Sequence, residues 1–126
     1  MNNNLNNIKT VNKNNRFKHI YKKGHNYVGA YVILYVLNNR SLNNMEYGYE
    51  KFSYGITVSK KIGKAVKRNR AKRLIREAIR LNKSLFLNGY DYIFVAKFKI
   101  NEVNYQEVER NIKYLLYKFK NSKENL

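Results

Sequence analysis

The chain has 126 residues, of which 26 are Lys or Arg and only 8 are Asp or Glu, so its formal net charge is +18 at pH 7. The length fits one domain with a modest core, and the absence of cysteine excludes disulfides and thiolate metal sites. Such an excess of cations predicts a polyanionic partner, first of all a nucleic acid. No signal peptide or spanning apolar run is found, which argues against a membrane partner.

The N-terminal part predicts one short helix. Residues 1–12 are rich in Asn and lack periodicity, so we expect a disordered segment there. The helix is predicted from about Lys13 to Lys23 and ends at Gly24, which suits a C′ position. One face of it has i, i+3 and i+4 spacing and comprises Phe17, Ile20 and Tyr21. Part of that face must be core, and we assign Ile20 to it.

A strand is predicted from Tyr27 to Leu37, where residues alternate with a period of two. Gly29 is a candidate position for a bend or bulge that splits this strand in two. One face carries Val28, Ala30, Val32, Leu34 and Val36, and the other carries Tyr27, Tyr31, Ile33 and Tyr35. Periodicity leaves two interpretations of the tyrosine face equally open: core packing, or a half-exposed surface on which unpaired bases stack.

A further strand is predicted from Lys51 to Ser59, after a polar loop at Asn38 to Glu50. Its bulky face carries Phe52, Tyr54, Ile56 and Val58, and its other face carries only Ser53, Gly55 and Thr57. The small face permits close approach of a helix or a nucleic acid. Lys60 and Lys61 then lead into the next helix.

The most regular pattern in the chain predicts a helix from Ala65 to Asn82. Its apolar residues fall within one arc that must face a core: Ala71, Leu74, Ile75, Ala78, Ile79 and Leu81. The opposite side carries Asn69, Lys72, Arg73, Arg76 and Arg80. Glu77 is the only carboxylate between Ser59 and Arg80, whereas solvated helix faces usually alternate in sign. The uncompensated positive charge therefore predicts a helix that binds a polyanion.

The triplet Arg68, Asn69 and Arg70 adds a geometric argument. Three consecutive helical residues fan out by about 200° in total, so they cannot all contact one small ligand. A helix laid into a folded RNA, whose phosphates approach from several directions, fits this arrangement better than a binder of one small phosphate.

The last part of the chain predicts a strand from Tyr90 to Lys99 and a helix that begins after Asn104. Asn104 and Glu107 have the spacing of a capping box. The apolar stripe of this helix comprises Val108, Ile112, Leu115, Leu116 and Phe119, and we interpret the helix as core. Residues 121–126 are expected to form a frayed tail. The element order indicates one α+β domain, a sandwich of about four strands and three helices.

No catalytic constellation is found in the sequence. The acidic residues lack the spacing of a catalytic or metal-binding pair, and His19 and His25 lack metal-ligand spacing. A strongly basic chain without such groups is best interpreted as the protein cofactor of an RNA. A ribosomal or chaperone-type RNA-binding protein is the alternative. A DNA-binding module is disfavoured because no short helix and turn precede the basic helix.

The segment GITVSKKIGKAVKRNRAKRLIREAIR, residues 55–80, resembles the signature of the bacterial ribonuclease P protein subunit. The centre of that signature is an Arg-Asn-Arg motif followed by a basic-basic-Leu-Ile-Arg run. The resemblance covers roughly residues 10–120 and includes Phe17, Tyr21, Gly24, Tyr35 and the DYIFVAK segment. The chain departs from the family at Lys64, where Asn is common, and at Tyr21, where Phe is common.

The resemblance implies a ribonuclease P protein domain over residues 13–120, folded as an α/β sandwich whose central helix makes a left-handed crossover between strands. Handedness rules alone predict the opposite hand. It also implies the RNA-binding subunit of a cytoplasmic endoribonuclease that matures the 5′ end of tRNA. The implied partners are the catalytic RNA and precursor tRNA, and neither DNA nor a membrane. Catalytic Mg²⁺ would be held by the RNA, so we expect no catalytic residue, cofactor or metal site in the protein.

The resemblance implies two surfaces that face RNA. The residues expected to dock the catalytic RNA are Lys64, Lys67, Arg68, Asn69, Arg70, Lys72, Arg73 and Arg76. The residues expected to hold the single-stranded 5′ leader of the precursor are Phe17, Tyr21, Tyr31, Tyr35, Lys60 and Lys61. The chemistry agrees, because phosphate contacts position a folded RNA and aromatic faces accept unpaired bases without demanding a sequence.

Overall fold

The computed structural model describes residues 9–10, 14–38 and 52–122. Its strands are β1 (Lys9–Thr10), β2 (His25–Val28), β3 (Val32–Asn38), β4 (Ser53–Thr57) and β5 (Tyr90–Ala96). Its α-helices are α1 (Asn14–Lys23), α2 (Ala65–Leu81) and α3 (Tyr105–Ser122). Short 3₁₀ turns occur at Lys60–Ile62, Lys83–Leu85 and Phe98–Glu102.

The strands form one mixed sheet in the order β1-β4-β5-β3-β2. β3 is antiparallel to both β2 and β5, whereas β4 is parallel to β5 and β1 is parallel to β4. Three helices with four longer strands confirm the predicted α+β sandwich. The helix α2 connects the parallel neighbours β4 and β5. The left-handed sense of that crossover stays an expectation from the resemblance.

The sheet has a helix layer on each side. On one side, α2 and α3 bury their apolar stripes against alternate residues of β3, β4 and β5, such as Leu34, Tyr54 and Phe94. On the other side, Ile20 of α1 packs with Ile93 of β5, and both are fully buried. This division follows from the period of two, because successive strand residues point to opposite faces of the sheet. The assignment of Ile20 to the core is confirmed.

The predicted strand at 27–37 is two strands that form a hairpin. The chain reverses after Gly29, whose N–H donates to the Val32 carbonyl at 2.8 Å. Tyr27 therefore pairs with Leu34, on the sheet face that carries α3, and its ring packs edge-on against Phe119. Tyr31 is also packed against the core on that side. The prediction that Tyr27, Tyr31 and Tyr35 share one face is wrong, because the turn inverts the side on which the first two lie.

Two terminal boundaries differ from the prediction. Lys9–Thr10 pairs in parallel with Ser53 and Tyr54, so the disorder predicted for residues 1–12 does not hold for these two residues. A short edge strand can pair through its backbone groups without an apolar periodicity, so no pattern in the sequence predicts β1. α3 continues through Ser122, two residues into the segment predicted to be a frayed tail. The other residues of the predicted N-terminal segment, most of the loop at 38–50 and residues 123–126 lie outside the described ranges.

The capping box predicted for α3 is confirmed. The Asn104 side-chain oxygen accepts from the Glu107 N–H at 3.1 Å, and a Glu107 carboxylate oxygen accepts from the Asn104 N–H at 3.3 Å. Two donors that the helix itself cannot satisfy are thereby paired. Within the described ranges, no helix is both long enough and apolar enough to cross a bilayer.

Candidate RNA interface

Exposed polar side chains occur at the start of α2 and along the outward side of its later turns. We call this set the basic ridge; it comprises Lys64, Lys67, Asn69, Arg73 and Arg76. The last three face outward because the opposite arc, with Ala71, Ile75, Ala78 and Ile79, is fully buried against the sheet and α3, whereas the two lysines are exposed at the start of the helix. Lys72 is half-buried beside it. The five residues of the basic ridge belong to the set predicted to dock the catalytic RNA, and their role in docking stays a prediction.

Arg68 and Arg70, by contrast, use their guanidinium groups within the protein. Arg68 Nη1 donates to the Gly63 carbonyl at 2.7 Å, at the start of the helix. Arg70 Nη1 and Nη2 donate to the carbonyls of Ile100 and Val103 at 3.2 and 2.5 Å. Both side chains are half-buried. The triplet does fan out as predicted, but Arg70 holds the turn that leads into α3. That role is structural, and contact of Arg70 with RNA stays a prediction.

We expect Arg70→Ala to lower the free energy of unfolding by about 2 kcal/mol, because two charge-assisted hydrogen bonds to backbone carbonyls are lost. Arg73→Ala is the matched control on the same helix, and because its side chain is exposed it should change stability by no more than about 0.5 kcal/mol. Urea unfolding of the wild type and both variants gives the comparison. Equal midpoints for the two variants would show that the bonds of Arg70 contribute nothing to stability.

The last turn of α2 holds the one carboxylate of this region. Arg80 Nε donates to a Glu77 carboxylate oxygen at 2.9 Å, and a second bond joins Arg80 Nη2 to the other oxygen. The hydrogen bonds from Arg80 lower the pKa of Glu77. Since Glu77 is already paired, it does not offset the charge of the basic ridge. Leu81, predicted to lie on the apolar arc, is instead 52% exposed at the helix end.

Aromatic side chains collect on the other side of the sheet, between α1 and the strands. Tyr21 is at the centre, with its ring centroid 6.1 Å from that of Phe17 and 4.9 Å from that of Tyr35, both in edge-on geometry. Its hydroxyl is 2.7 Å from the Thr57 hydroxyl on β4. All four side chains are half-exposed. We call this group, Phe17, Tyr21, Tyr35 and Thr57, the aromatic cleft.

β4 contributes to the aromatic cleft only at its carboxyl end. Ser53 and Gly55 are buried, so the small face predicted for β4 is accessible only near Thr57. At the amino end of β4, Ser53 donates to the buried Asp91 carboxylate on the neighbouring strand, so these two buried polar groups are paired. Burial raises the pKa of the Tyr21 hydroxyl and so favours its neutral form, which can donate or accept a hydrogen bond.

The remaining predicted leader-binding residues divide into two groups. Lys60 and Lys61 are exposed in the turn that follows Thr57, so they extend positive charge from the aromatic cleft to the start of α2. Tyr31 lies on the opposite side of the sheet, beside Asn111 of α3, and the structure does not bring it together with the aromatic cleft. The Lys60–Ile62 turn is fixed because Asn101 Nδ2 donates to the Ile62 carbonyl at 2.8 Å.

Two further observations concern the chemistry of the described residues outside the basic ridge and the aromatic cleft. Among the described residues, no group of three His, Cys, Asp or Glu side chains is placed to hold a metal ion. The outer side of α3, which we interpreted only as a core helix, exposes Tyr114 and Tyr117 beside several cations. The sequence contained a signal for this surface, because no acidic residue occurs from position 110 to 122.

Comparison with known proteins gives concordant matches. A family model described as Ribonuclease P matches residues 5–120. A ribonuclease P protein component from Clostridium perfringens is 40% identical over 110 residues, which is 86% of each chain. A solved Staphylococcus aureus RNase P protein mutant with defective mRNA degradation activity superposes with a TM-score of 0.76 at 33% identity, covering 88% of this chain and 87% of that one. The Thermotoga maritima RNase P protein superposes with a TM-score of 0.73 at 28% identity, covering 86% and 94%.

Proposed function

The chain belongs to the bacterial ribonuclease P protein family and is an RNA-binding subunit of that enzyme, and we propose that it presents separate surfaces to the catalytic RNA and to precursor tRNA. The basic ridge docks the catalytic RNA. The aromatic cleft, with Lys60 and Lys61, receives the unpaired 5′ leader of the precursor. These comparisons do not favour a ribosomal or chaperone-type protein.

The proposal that α2 docks the catalytic RNA rests on the uncompensated positive charge of this helix. Lys64, Lys67, Arg73 and Arg76 are exposed, and the only carboxylate on the helix is already bonded to Arg80. Like charges on one helix repel each other, and phosphates would remove that repulsion while releasing counterions from the RNA. The ridge lies on a helix packed against both the sheet and α3, so its cations are presented from a rigid support.

The proposal for the leader rests on the geometry of the aromatic cleft. The half-exposed rings of the aromatic cleft offer stacking surfaces to unpaired bases. Lys60 and Lys61, which follow Thr57 of the cleft in the chain, can neutralise the attached phosphates. None of these contacts reads the edge of a base, so the cleft would accept leaders of different sequence. That tolerance fits a substrate class whose members share structure more than sequence.

Catalysis itself is proposed to reside in the RNA subunit, with Mg²⁺ held by the RNA and no cofactor held by the protein. The protein then contributes cations and substrate positioning, in the cytoplasm, where the precursor is processed. The chemistry that the chain can supply is consistent with this role: many donors for phosphate oxygens, and few carboxylates to activate water.

The leader surface is tested with Phe17→Ala, Tyr21→Ala and Tyr35→Ala in the complex with catalytic RNA. Affinity for precursor tRNA that bears its leader should fall by about 1–3 kcal/mol for each base that loses its stacking partner. Affinity for the same tRNA without a leader should hardly change. Equilibrium binding to the two tRNAs is the measurement.

Because these rings also pack around Ile20 and Ile93, each variant is first checked by urea unfolding. Tyr27→Ala is the matched control, since this tyrosine packs against Phe119 on the other side of the sheet. It should cost stability without changing the preference for the leader. Equal losses of affinity for both tRNAs in the cleft variants would refute a leader-binding role for the aromatic cleft.

A further inference from the structure

The outer side of α3 exposes two large aromatic side chains. Tyr114 is 53% exposed and Tyr117 is 61% exposed, although the helix already buries a full apolar stripe on its inner side. Neither ring is needed for that core. Two tyrosines three residues apart lie on neighbouring turns of the helix surface, so both rings belong to one continuous surface.

Positive charge dominates this surface from Arg110 onward, and Glu107, one turn earlier, accepts a hydrogen bond in the capping box. We call this surface the α3 face; its exposed side chains are Arg110, Lys113, Tyr114, Tyr117, Lys118, Lys120 and Asn121. The sequence from 110 to 122 contains no Asp or Glu. The same pattern on α2 indicates a polyanion-binding helix, and α3 adds aromatic rings to it.

Each exposed tyrosine borders a depression that also contains a cation. One, of about 350 Å³, is lined by Tyr31, Glu107, Arg110, Asn111 and Tyr114. The other, of about 130 Å³, is lined by Leu85, Lys113, Leu116, Tyr117 and Lys120. In addition, Lys118 Nζ is 5.4 Å from the centroid of the Tyr114 ring, within the range of a cation–π contact.

The wall of the larger depression is held in place by hydrogen bonds. The Asn111 side-chain oxygen accepts from the backbone N–H groups of Tyr31 and Val32 at 2.9 and 3.2 Å. Lys97 Nζ donates to the Gly29 carbonyl in the same turn at 2.9 Å. The turn between β2 and β3 is therefore fixed against α3, and a ligand would meet a preformed surface.

We propose that the α3 face is a further RNA-binding surface, and that its occupant is an unpaired segment of the catalytic RNA that continues past α2. Flat rings beside flexible cations match unpaired nucleotides, since bases stack on the rings while the cations neutralise the phosphates. A protein partner with an acidic surface is the other possibility, and the test separates the two. This inference rests on the proposed docking of the catalytic RNA.

The position of α3 favours the catalytic RNA over the leader as the source of that segment. α2 and α3 pack side by side on the same side of the sheet, and Asn82 at the end of α2 donates to Glu109 of α3 at 2.8 Å. The aromatic cleft is on the opposite side of the sheet. An RNA docked on the basic ridge is thus the nearest one to the α3 face.

The chain contains no tryptophan, so a single introduced indole reports on its own site. Tyr117→Trp fluorescence should be quenched when a bacterial ribonuclease P RNA is added, because a stacked base lies on the ring. Leu81→Trp, at an exposed position outside the α3 face, is the control and should change little. Equal responses at the two positions, or none at either, would overturn the proposal.

The double variant Tyr114→Ala/Tyr117→Ala should bind the same RNA at least about fivefold more weakly, with the salt dependence of binding unchanged because tyrosine is neutral. Its preference for leader-bearing over leaderless precursor should equal that of the wild type. Unchanged RNA affinity would overturn the inference, and if basic-ridge variants still lose affinity, the proposed function stands. A lost leader preference, or loss of a dimer seen by sedimentation, would assign the α3 face to another occupant.

Discussion

Protein freed of RNA is expected to leave a 5′-labelled precursor tRNA intact, and cleavage at the mature 5′ end is expected only when a bacterial ribonuclease P RNA and Mg²⁺ are added. Hydrolysis of a phosphodiester needs a means of activating water and of stabilising the leaving oxygen. The 8 acidic residues of the chain show no spacing suited to that task. The expected difference is therefore between no cleavage and full cleavage.

The benefit of the protein should depend on Mg²⁺. Cations of the basic ridge and free Mg²⁺ neutralise the same phosphates, so the rate gain from added protein should be largest at low Mg²⁺ and shrink as Mg²⁺ rises. The assay compares protein, RNA and both across a Mg²⁺ series. A rate gain that stays constant across the series would contradict a role in charge neutralisation.

The control for this experiment is a second substrate. An unrelated mRNA is incubated with the same RNA-free protein, because a contaminating general nuclease would cleave both RNAs. Nuclease-treated protein that still cuts the precursor at the mature 5′ end would refute an RNA-based active site. Cleavage confined to the complex, for either substrate, supports it.

Removal of three cations from the basic ridge is expected to weaken binding of the catalytic RNA by about two orders of magnitude at physiological salt. The variant is Lys67→Ala/Arg73→Ala/Arg76→Ala, whose side chains are all exposed and whose fold should persist. Each lost phosphate contact should also reduce the slope of log affinity against log salt by about 0.7–0.9, so the slope should fall by about 2–3 in total. Binding titrations at several salt concentrations measure both quantities.

Arg68 and Arg70 are left out of this variant because their guanidinium groups donate to backbone carbonyls. Their replacement would lower the stability of the fold as well as the affinity for RNA. The matched control is Glu77→Gln/Arg80→Gln, which removes an ion pair from the same helix without changing the net charge. Its salt slope should equal that of the wild type. An unchanged slope in the triple variant would disprove docking through the basic ridge.

Features that depend on local periodicity could be predicted from the sequence. The buried arc of α2, the alternation of β3 and the capping box of α3 follow from neighbours within four residues along the chain. The existence of an outward basic side on α2 follows as well, because a helix that buries one arc must expose the other. The Arg-Asn-Arg signature within residues 55–80 is a local pattern and indicates the family without any tertiary contact.

The tertiary structure decided which side chains remain available at the surface. Arg70 looks like its neighbours in the sequence, but its partners are 30 and 33 residues away. The Tyr21 hydroxyl meets Thr57 across 36 residues, and the turn after Gly29 moved Tyr31 away from the aromatic cleft. Periodicity specifies how a side chain is oriented on its own element and thereby the layers of the fold. The partner that a half-buried polar group meets depends on how distant elements pack, and no local pattern encodes that.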